Sequence, residues 1–351
     1  WSPDSFGLAL VVALLSTACW GSWSNTAKAA GDRVNFAHYY TDFCLGTVLT
    51  ALCGLATLGA CALGGPEVDT GRALYAAAAG AVFGVANLLL VTGIALAGLS
   101  IAFPLCIGTG LVLGTVLTYL VDRRGHPELL FPGVLLALLG VLANAGAYAM
   151  LQRSRAQAGE EENPMQESES CEETSVEETS TVGGQPSIAK NIAMCVVGGV
   201  LMGCWAPLSA RSMAGAQGLS PYFSFLCFVC SCFVVGISIL AAQQAGCSLI
   251  PRVGARTTLR EYMALPPLLH GWGLLGGAIW AVGTMSNLVS GGPLGFALSY
   301  ALGQTAPVVA VLWGLAWYRE FNGAPRSAAV FLAFMFLFFF GAIALLCLGG
   351  M

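Results

Sequence analysis

Residues 73–97 read ALYAAAAGAVFGVANLLLVTGIALA, without one charged side chain. A helix needs roughly 20 mostly apolar residues to cross a bilayer, so this stretch is long enough to span one. Its centre, Gly80-Ala81-Val82-Phe83, returns late in the chain as Gly277-Ala278-Ile279-Trp280. Cys19-Trp20 likewise returns as Cys204-Trp205, and Ile107-Gly108-Thr109 as Leu302-Gly303-Gln304. Asp122-Arg123, closing one apolar run, is answered by Arg319-Glu320 closing another. The motifs keep one order in both halves. Duplicated apolar segments mark a secondary transporter, with its site where the two repeats meet.

The rest of the chain agrees. It is 57% hydrophobic and 9% charged, with a mean hydropathy of +0.77. Soluble domains carry about 25% charged residues. So much apolar surface cannot face water, and a chain in lipid must satisfy its own backbone polar groups, as helices do. The net charge of −4 says little about partners, because nine of the eighteen carboxylates lie between Glu160 and Glu178. No basic patch points to nucleic acid, and no ligand spacing points to a metal or other cofactor. Cys227, Cys230 and Cys232 sit together in an apolar run, so the thirteen cysteines read as small buried hydrophobes rather than a disulfide framework.

Ten runs can cross a membrane. Five fall in the half 1–151 (5–27, 39–63, 73–97, 100–121 and 129–151). Five fall in the half 189–351 (189–211, 222–243, 269–290, 294–317 and 328–348). Between them, 152–188 is rich in Glu, Ser and Thr with no apolar period, and is expected to be an acidic disordered linker. An odd number of spans per half makes the second half enter from the opposite side. The expected fold is all-α: a polytopic membrane protein of ten transmembrane helices in two inverted five-helix repeats. Loops on the linker's side carry ten of the fourteen Lys and Arg residues, which favours a cytoplasmic linker with both termini outside.

Polar groups inside spans are expensive, so each is a candidate for function. Trp20, Trp23 and Ser24 share one face of the first span, and Gly21, Asn25 and Lys28 the adjoining one. An indole offers a flat stacking surface, and a carboxamide both donates and accepts. Helix packing and interface anchoring stay open beside substrate contact, anchoring above all for Trp23. Asn87 and Asn287 lie inside the third and eighth spans, where each could bind a neighbouring helix or a solute. Tyr300 and Gln304 stand one turn apart on the ninth span, beside Gly303, whose carbonyl Pro307 is expected to free. The expected cavity is bounded by Trp20, Asn25 and Asn87 from the first half, and by Trp280, Asn287, Tyr300 and Gln304 from the second.

Lys28 and Asp42 flank the short loop between the first two spans at similar depth. They are expected to form an ion pair, either static or broken when Asp42 takes a proton, the latter a route to proton coupling. Asp122 and Glu320, each beside an arginine, read as interfacial salt-bridge partners. His38 and His270 read as interfacial polar residues, with proton relay the alternative.

Longer stretches are more particular than hydropathy. Leu15-Ser16-Thr17-Ala18-Cys19-Trp20-Gly21-Ser22-Trp23-Ser24-Asn25-Thr26-Ala27-Lys28 is followed by Tyr39-Tyr40-Thr41-Asp42-Phe43. Together they resemble the first hairpin of the ureide permease family, within the drug/metabolite transporter superfamily. Around Trp20 and Asp42 the sequence is most similar to the family's bacterial and protist-type relatives. Ala95-Leu96-Ala97-Gly98-Leu99-Ser100-Ile101-Ala102-Phe103-Pro104 and Phe131-Pro132-Gly133 extend the resemblance. So do Ser299-Tyr300-Ala301-Leu302-Gly303-Gln304, Trp313-Gly314 and Tyr318-Arg319-Glu320-Phe321, so that it covers nearly the whole chain outside the linker. The resemblance implies ten helices in two inverted repeats. From the plant members it also implies proton-coupled uptake of allantoin and related oxo-nitrogen heterocycles, including uracil-like bases. Plant members are described with a phosphate-loop-like motif in the central loop. Here Gly183-Gly184-Gln185-Pro186-Ser187-Ile188-Ala189-Lys190 lacks the second glycine and the hydroxyl residue after the lysine, so no nucleotide role follows.

The expected function is that of a secondary active transporter, not an enzyme. It would move a small polar heterocycle, a ureide or nucleobase, by alternating access with H+, across the plasma membrane rather than an organelle membrane. A sugar or other small-metabolite carrier of the same fold is the alternative, and a membrane receptor or scaffold using the acidic linker for docking a more distant one. A strongly anionic solute is disfavoured, since no paired Lys or Arg sits in mid-span. Expected partners are the solute, the lipid bilayer and a proton, with no nucleic acid and no cofactor. Glycine-rich lipid-facing surfaces accommodate a monomer or a dimer alike.

Overall fold

In the computed structural model, which describes residues 1–60, 69–162 and 188–350, ten helices are long and apolar enough to cross a membrane. In the first half they are α1 (Phe6–Arg33), α2 (Phe36–Thr57), α3 (Thr70–Ala97), α4 (Ile101–Val121) and α5 (Pro127–Gln157). In the second they are α6 (Ala189–Met213), α7 (Pro221–Ala245), α8 (Pro267–Leu294), α9 (Phe296–Ala316) and α10 (Arg326–Gly349). All ten expected spans are present. Their ends follow local chemistry that hydropathy does not carry. Asn35 caps α2 by accepting from the Ala37 N–H at 2.9 Å, which starts that helix ahead of its apolar run. Asp69 caps α3 in the same way, and Ser220 caps α7 with Pro221 in its first turn.

One expected boundary changes. The α5 helix continues to Glu162, into the segment expected to be unstructured from residue 152. Arg, Gln, Ala and Glu are good helix formers, so the helix continues past the end of its apolar stretch. The rest of the acidic segment, with Gly183-Gly184-Gln185, lies outside the described residues.

The two halves interleave. α1 packs on α8 as α6 packs on α3; α8 also holds α2, and α3 also holds α7. α9 lies against α1 and α4 against α6, so each of these contacts has a counterpart five helices on. The duplicated glycines explain two of the closest approaches. Gly277 on α8 faces the backbone of Phe43 on α2, and Gly80 on α3 faces that of Phe228 on α7. A Cβ at either position would overlap the opposing carbonyl oxygen. Small residues let helix backbones meet where lipid supplies no hydrophobic drive between them.

Two spans are interrupted at a proline. α4 contains a π-helical turn at Pro104–Gly108. α9 is helical over Phe296–Gly303, turns at 304–306 and resumes over Pro307–Ala316. A proline has no N–H to give to the preceding turn, so the helical ladder rearranges at both places. In α9 the Ala306 N–H donates to the Gly303 carbonyl at 3.1 Å. The carbonyl expected to be free is therefore occupied, because the chain tightens into shorter-range bonds ahead of Pro307.

Candidate functional site

A cavity of about 250 Å³ is lined from both interruptions, by Phe103 and Ile107 at one and by Gln304 and Pro307 at the other. Its aromatic walls are Trp20 and Trp23 of α1, Phe83 of α3, Trp205 of α6 and Trp280 of α8. The rings hold one another. Phe83 meets Trp280 at 5.1 Å and Trp205 edge-on at 6.0 Å, and Trp20 meets Trp205 edge-on at 6.2 Å. Trp20 Nε1 donates to Thr284 Oγ1 at 3.0 Å, which orients the indole and leaves its ring carbons for the cavity. Gly303 admits that ring, since a Cβ there would stand 2.6 Å from it.

The polar side chains of the lining are Ser24, Asn87 and Gln304. Asn87 Nδ2 donates to the Tyr40 hydroxyl at 3.3 Å, which orients the amide. No charged side chain is among the described lining residues. Such a chamber can stack a flat ring and read its amide edges, and it offers no counter-charge to an ion.

Of the residues expected to bound the cavity, Trp20, Asn87, Trp280 and Gln304 line it, and Asn25, Asn287 and Tyr300 do not. Asn25 shares the face of Gly21, and Gly21 is packed against Ala306, Val309 and Ala310 of α9. The adjoining face reaches the cavity instead, so Trp23 is part of the wall rather than an interface anchor. Asn287 Nδ2 donates to the Ser299 carbonyl at 2.7 Å, tying α8 to α9. Tyr300, 1% exposed, donates to the Gly110 carbonyl at 3.0 Å, tying α9 to α4. Phe83 and Trp205 are additions to the expected set. The duplication pointed to both, as the counterparts of Trp280 and Trp20.

The expected Lys28–Asp42 pair does not form. α1 packs on α8 and α9, whereas α2 packs on α8 and α7, so residues at equal depth meet different neighbours. Lys28 pairs with Glu320 and lies 4.2 Å over the Tyr318 ring. Tyr148 also donates to Glu320 Oε2 at 2.9 Å. Burial pushes the Glu320 carboxyl up, but the Lys28 and Tyr148 hydrogen bonds outweigh it and hold the group below its ordinary range. Asp122 Oδ1 pairs with Arg124 at 3.2 Å, while its Oδ2 accepts from the Phe296 N–H at the start of α9.

Asp42 is 2% exposed and sits in a different cluster. His270 Nδ1 of α8 lies 2.8 Å from Asp42 Oδ2, and the Tyr262 hydroxyl donates to Oδ1. Tyr262 belongs to a short helix, Leu259–Met263, fastened by the Thr258–Glu261 capping box and by Thr257 against His38. Burial, and then the neighbouring Asp42, raise the Tyr262 phenol well above its ordinary range, so it remains a donor. The cluster lies outside the cavity, yet α2 joins the two. Phe43 packs on Trp23 at 5.1 Å and on Trp280 at 6.0 Å, and Tyr40 holds Asn87.

The model of the family described as ureide permease matches residues 209–349. Ureide permease 1 of Arabidopsis thaliana is 24% identical, over 98% of this chain and 97% of its own length. Ureide permease 4 of the same plant is also 24% identical, over 95% and 94%, and ureide permease 2 is 21% identical, over 98% and 97%. A crystal structure of a protein 15% identical in sequence superposes with a TM-score of 0.59 over 97% of both chains, which bears on the fold alone. The likeness to the ureide permease family expected from the sequence motifs is borne out.

Proposed function

Taking this multi-pass membrane protein as ureide-permease-like, we propose that it is a secondary active transporter of a small polar heterocycle, a ureide such as allantoin or a nucleobase. The observation that carries this reading is the uncharged, tryptophan-walled cavity at the two interrupted spans. Its volume of about 250 Å³ falls below the roughly 300–1,000 Å³ of drug-sized pockets and suits one small ring. Trp20 and Trp205 would stack on that ring, and Asn87 and Gln304 would pair with its amide edges. The paired contacts five helices apart support two inverted repeats that exchange roles as access alternates.

Proton coupling falls to Asp42, with His270 and Tyr262 as its partners in place of Lys28. A proton taken from the linker side would loosen the hold of the Leu259–Met263 helix on α2. α2 would then pass the change to Asn87 and Trp280 at the cavity wall. Lys28 instead ties α1 to Glu320, in the turn that follows α9. The excess of Lys and Arg on the linker side supports a cytoplasmic linker, and the plasma membrane is the proposed residence.

The test is uptake of labelled allantoin, uracil and glucose into proteoliposomes, with and without an inward proton gradient. Gradient-stimulated uptake of allantoin or uracil is expected. Uptake of glucose alone would retain the fold and overturn the solute class.

A further inference from the structure

Among the described residues, five buried side-chain polar atoms have no hydrogen-bond partner: those of Ser16, Thr115, Thr118, Asn144 and Ser209. Leaving such a group unpaired inside a membrane protein is costly, so its retention calls for a reason. Thr115 and Thr118 on α4 and Ser209 on α6 lie near the ends of their spans, on the side of the membrane away from the linker. The large cavity lies toward the other side, its lining running from Trp20 to Ser24 on α1 and from Gly303 to Ala310 on α9.

A closed layer separates the two. Trp205 is 2% exposed and meets Tyr300 edge-on at 5.5 Å. The Tyr300 hydroxyl is bonded to Gly110, and its ring fills the space that a side chain at Gly114 would take. Gly110, Gly114 and Thr118 recur at four-residue spacing along one face of α4. Beside the layer, a void of about 10 Å³, scarcely room for one water, is lined by Thr118, Asn287, Phe296, Trp205 and Tyr300. The Tyr300 half-helix ends at the 304–306 turn, so a swing about that turn would move Tyr300.

We propose that Thr115, Thr118, Ser209 and Asn287 line the solute's passage on the side away from the linker, closed here by a gate of Trp205 and Tyr300. This rests on the alternating-access reading above. Their hydroxyl and amide groups go unpaired or are only partly paired in the closed state because they meet water and an uncharged, amide-edged solute in the open one. Asn287 and Tyr300, absent from the cavity wall, thereby have places along the same route.

The test uses the full chain carrying Thr118→Cys in sealed vesicles of each orientation, treated with a membrane-impermeant maleimide. Modification is read by mass spectrometry of the peptide containing position 118, with the unsubstituted chain as the control for its own cysteines. Labelling is expected from the side away from the linker and little from the linker side. Adding Tyr300→Phe, which removes the bond to Gly110, is expected to raise its rate roughly 2- to 10-fold. Ser209→Cys provides the same readout should the first variant fail to fold. No labelling at either position from the side away from the linker, or a rate that Tyr300→Phe leaves unchanged, overturns the gate. Side-specific labelling without allantoin uptake would support the gate while removing the ureide reading.

Discussion

Trp20 has its N–H fixed to Thr284 and its ring in the cavity wall, so its two roles can be separated by substitution. Trp20→Phe keeps a smaller stacking face and loses the bond, and should raise KM for the proposed heterocycle roughly 2- to 10-fold. Trp20→Ala removes the face as well; base–aromatic stacking of about 1–3 kcal/mol predicts a further loss of about 5- to 160-fold. The concentration dependence of uptake measures both. Gln304 tests the polar side of recognition, since its carboxamide has no hydrogen bond within the described chain. Gln304→Leu should therefore raise KM by about tenfold while thermal unfolding stays close to that of the parent. Asp42→Asn should abolish stimulation by a proton gradient but leave solute exchange under equal pH intact. Full gradient stimulation in that variant would remove Asp42 from the coupling step.

At the scale of the helices, paired glycines set how near the spans can come. Gly80→Ala and Gly277→Ala press a methyl group onto a backbone carbonyl that has no rotamer to escape into. Each should lower stability in detergent by about 1–3 kcal/mol. Gly271→Ala, on the same α8 helix with no atom within 4 Å of its Cβ position, is the control and should be neutral or slightly stabilising. The Lys28–Glu320 tie carries a pH signature. Because the Glu320 pKa is depressed, its contribution is present above the ordinary value of 4.5 and is lost as pH falls through the lower, folded value. Thermal unfolding across acidic pH should show that loss, and Glu320→Gln should flatten it. The ten spans were legible because their lengths and compositions leave no other solution in lipid. Which side of each span faces what was not. Periodicity groups Gly21 with Asn25 and Trp20 with Trp23, but nothing local tells which group a neighbouring helix will cover.

Across the whole molecule, the repeat was the most informative part of the sequence for the site. It links Phe83 to Trp280 and Trp205 to Trp20, and all four line one cavity. The Asp42 cluster was illegible for the opposite reason. It draws His270 and Tyr262 from far along the chain, and no repeat or spacing announces that meeting. The described lining of that cavity, which includes no charged side chain, has an electrical consequence. An uncharged solute carried there adds nothing to the current, so any current would be carried by an ion moving with it. One proton per solute would make the cycle electrogenic. A membrane potential of 100 mV supplies about 2.3 kcal/mol per elementary charge, enough to concentrate the solute roughly 50-fold. On the proton-coupled reading proposed above, net charge moved per molecule of heterocycle, recorded on a supported membrane, would count the protons.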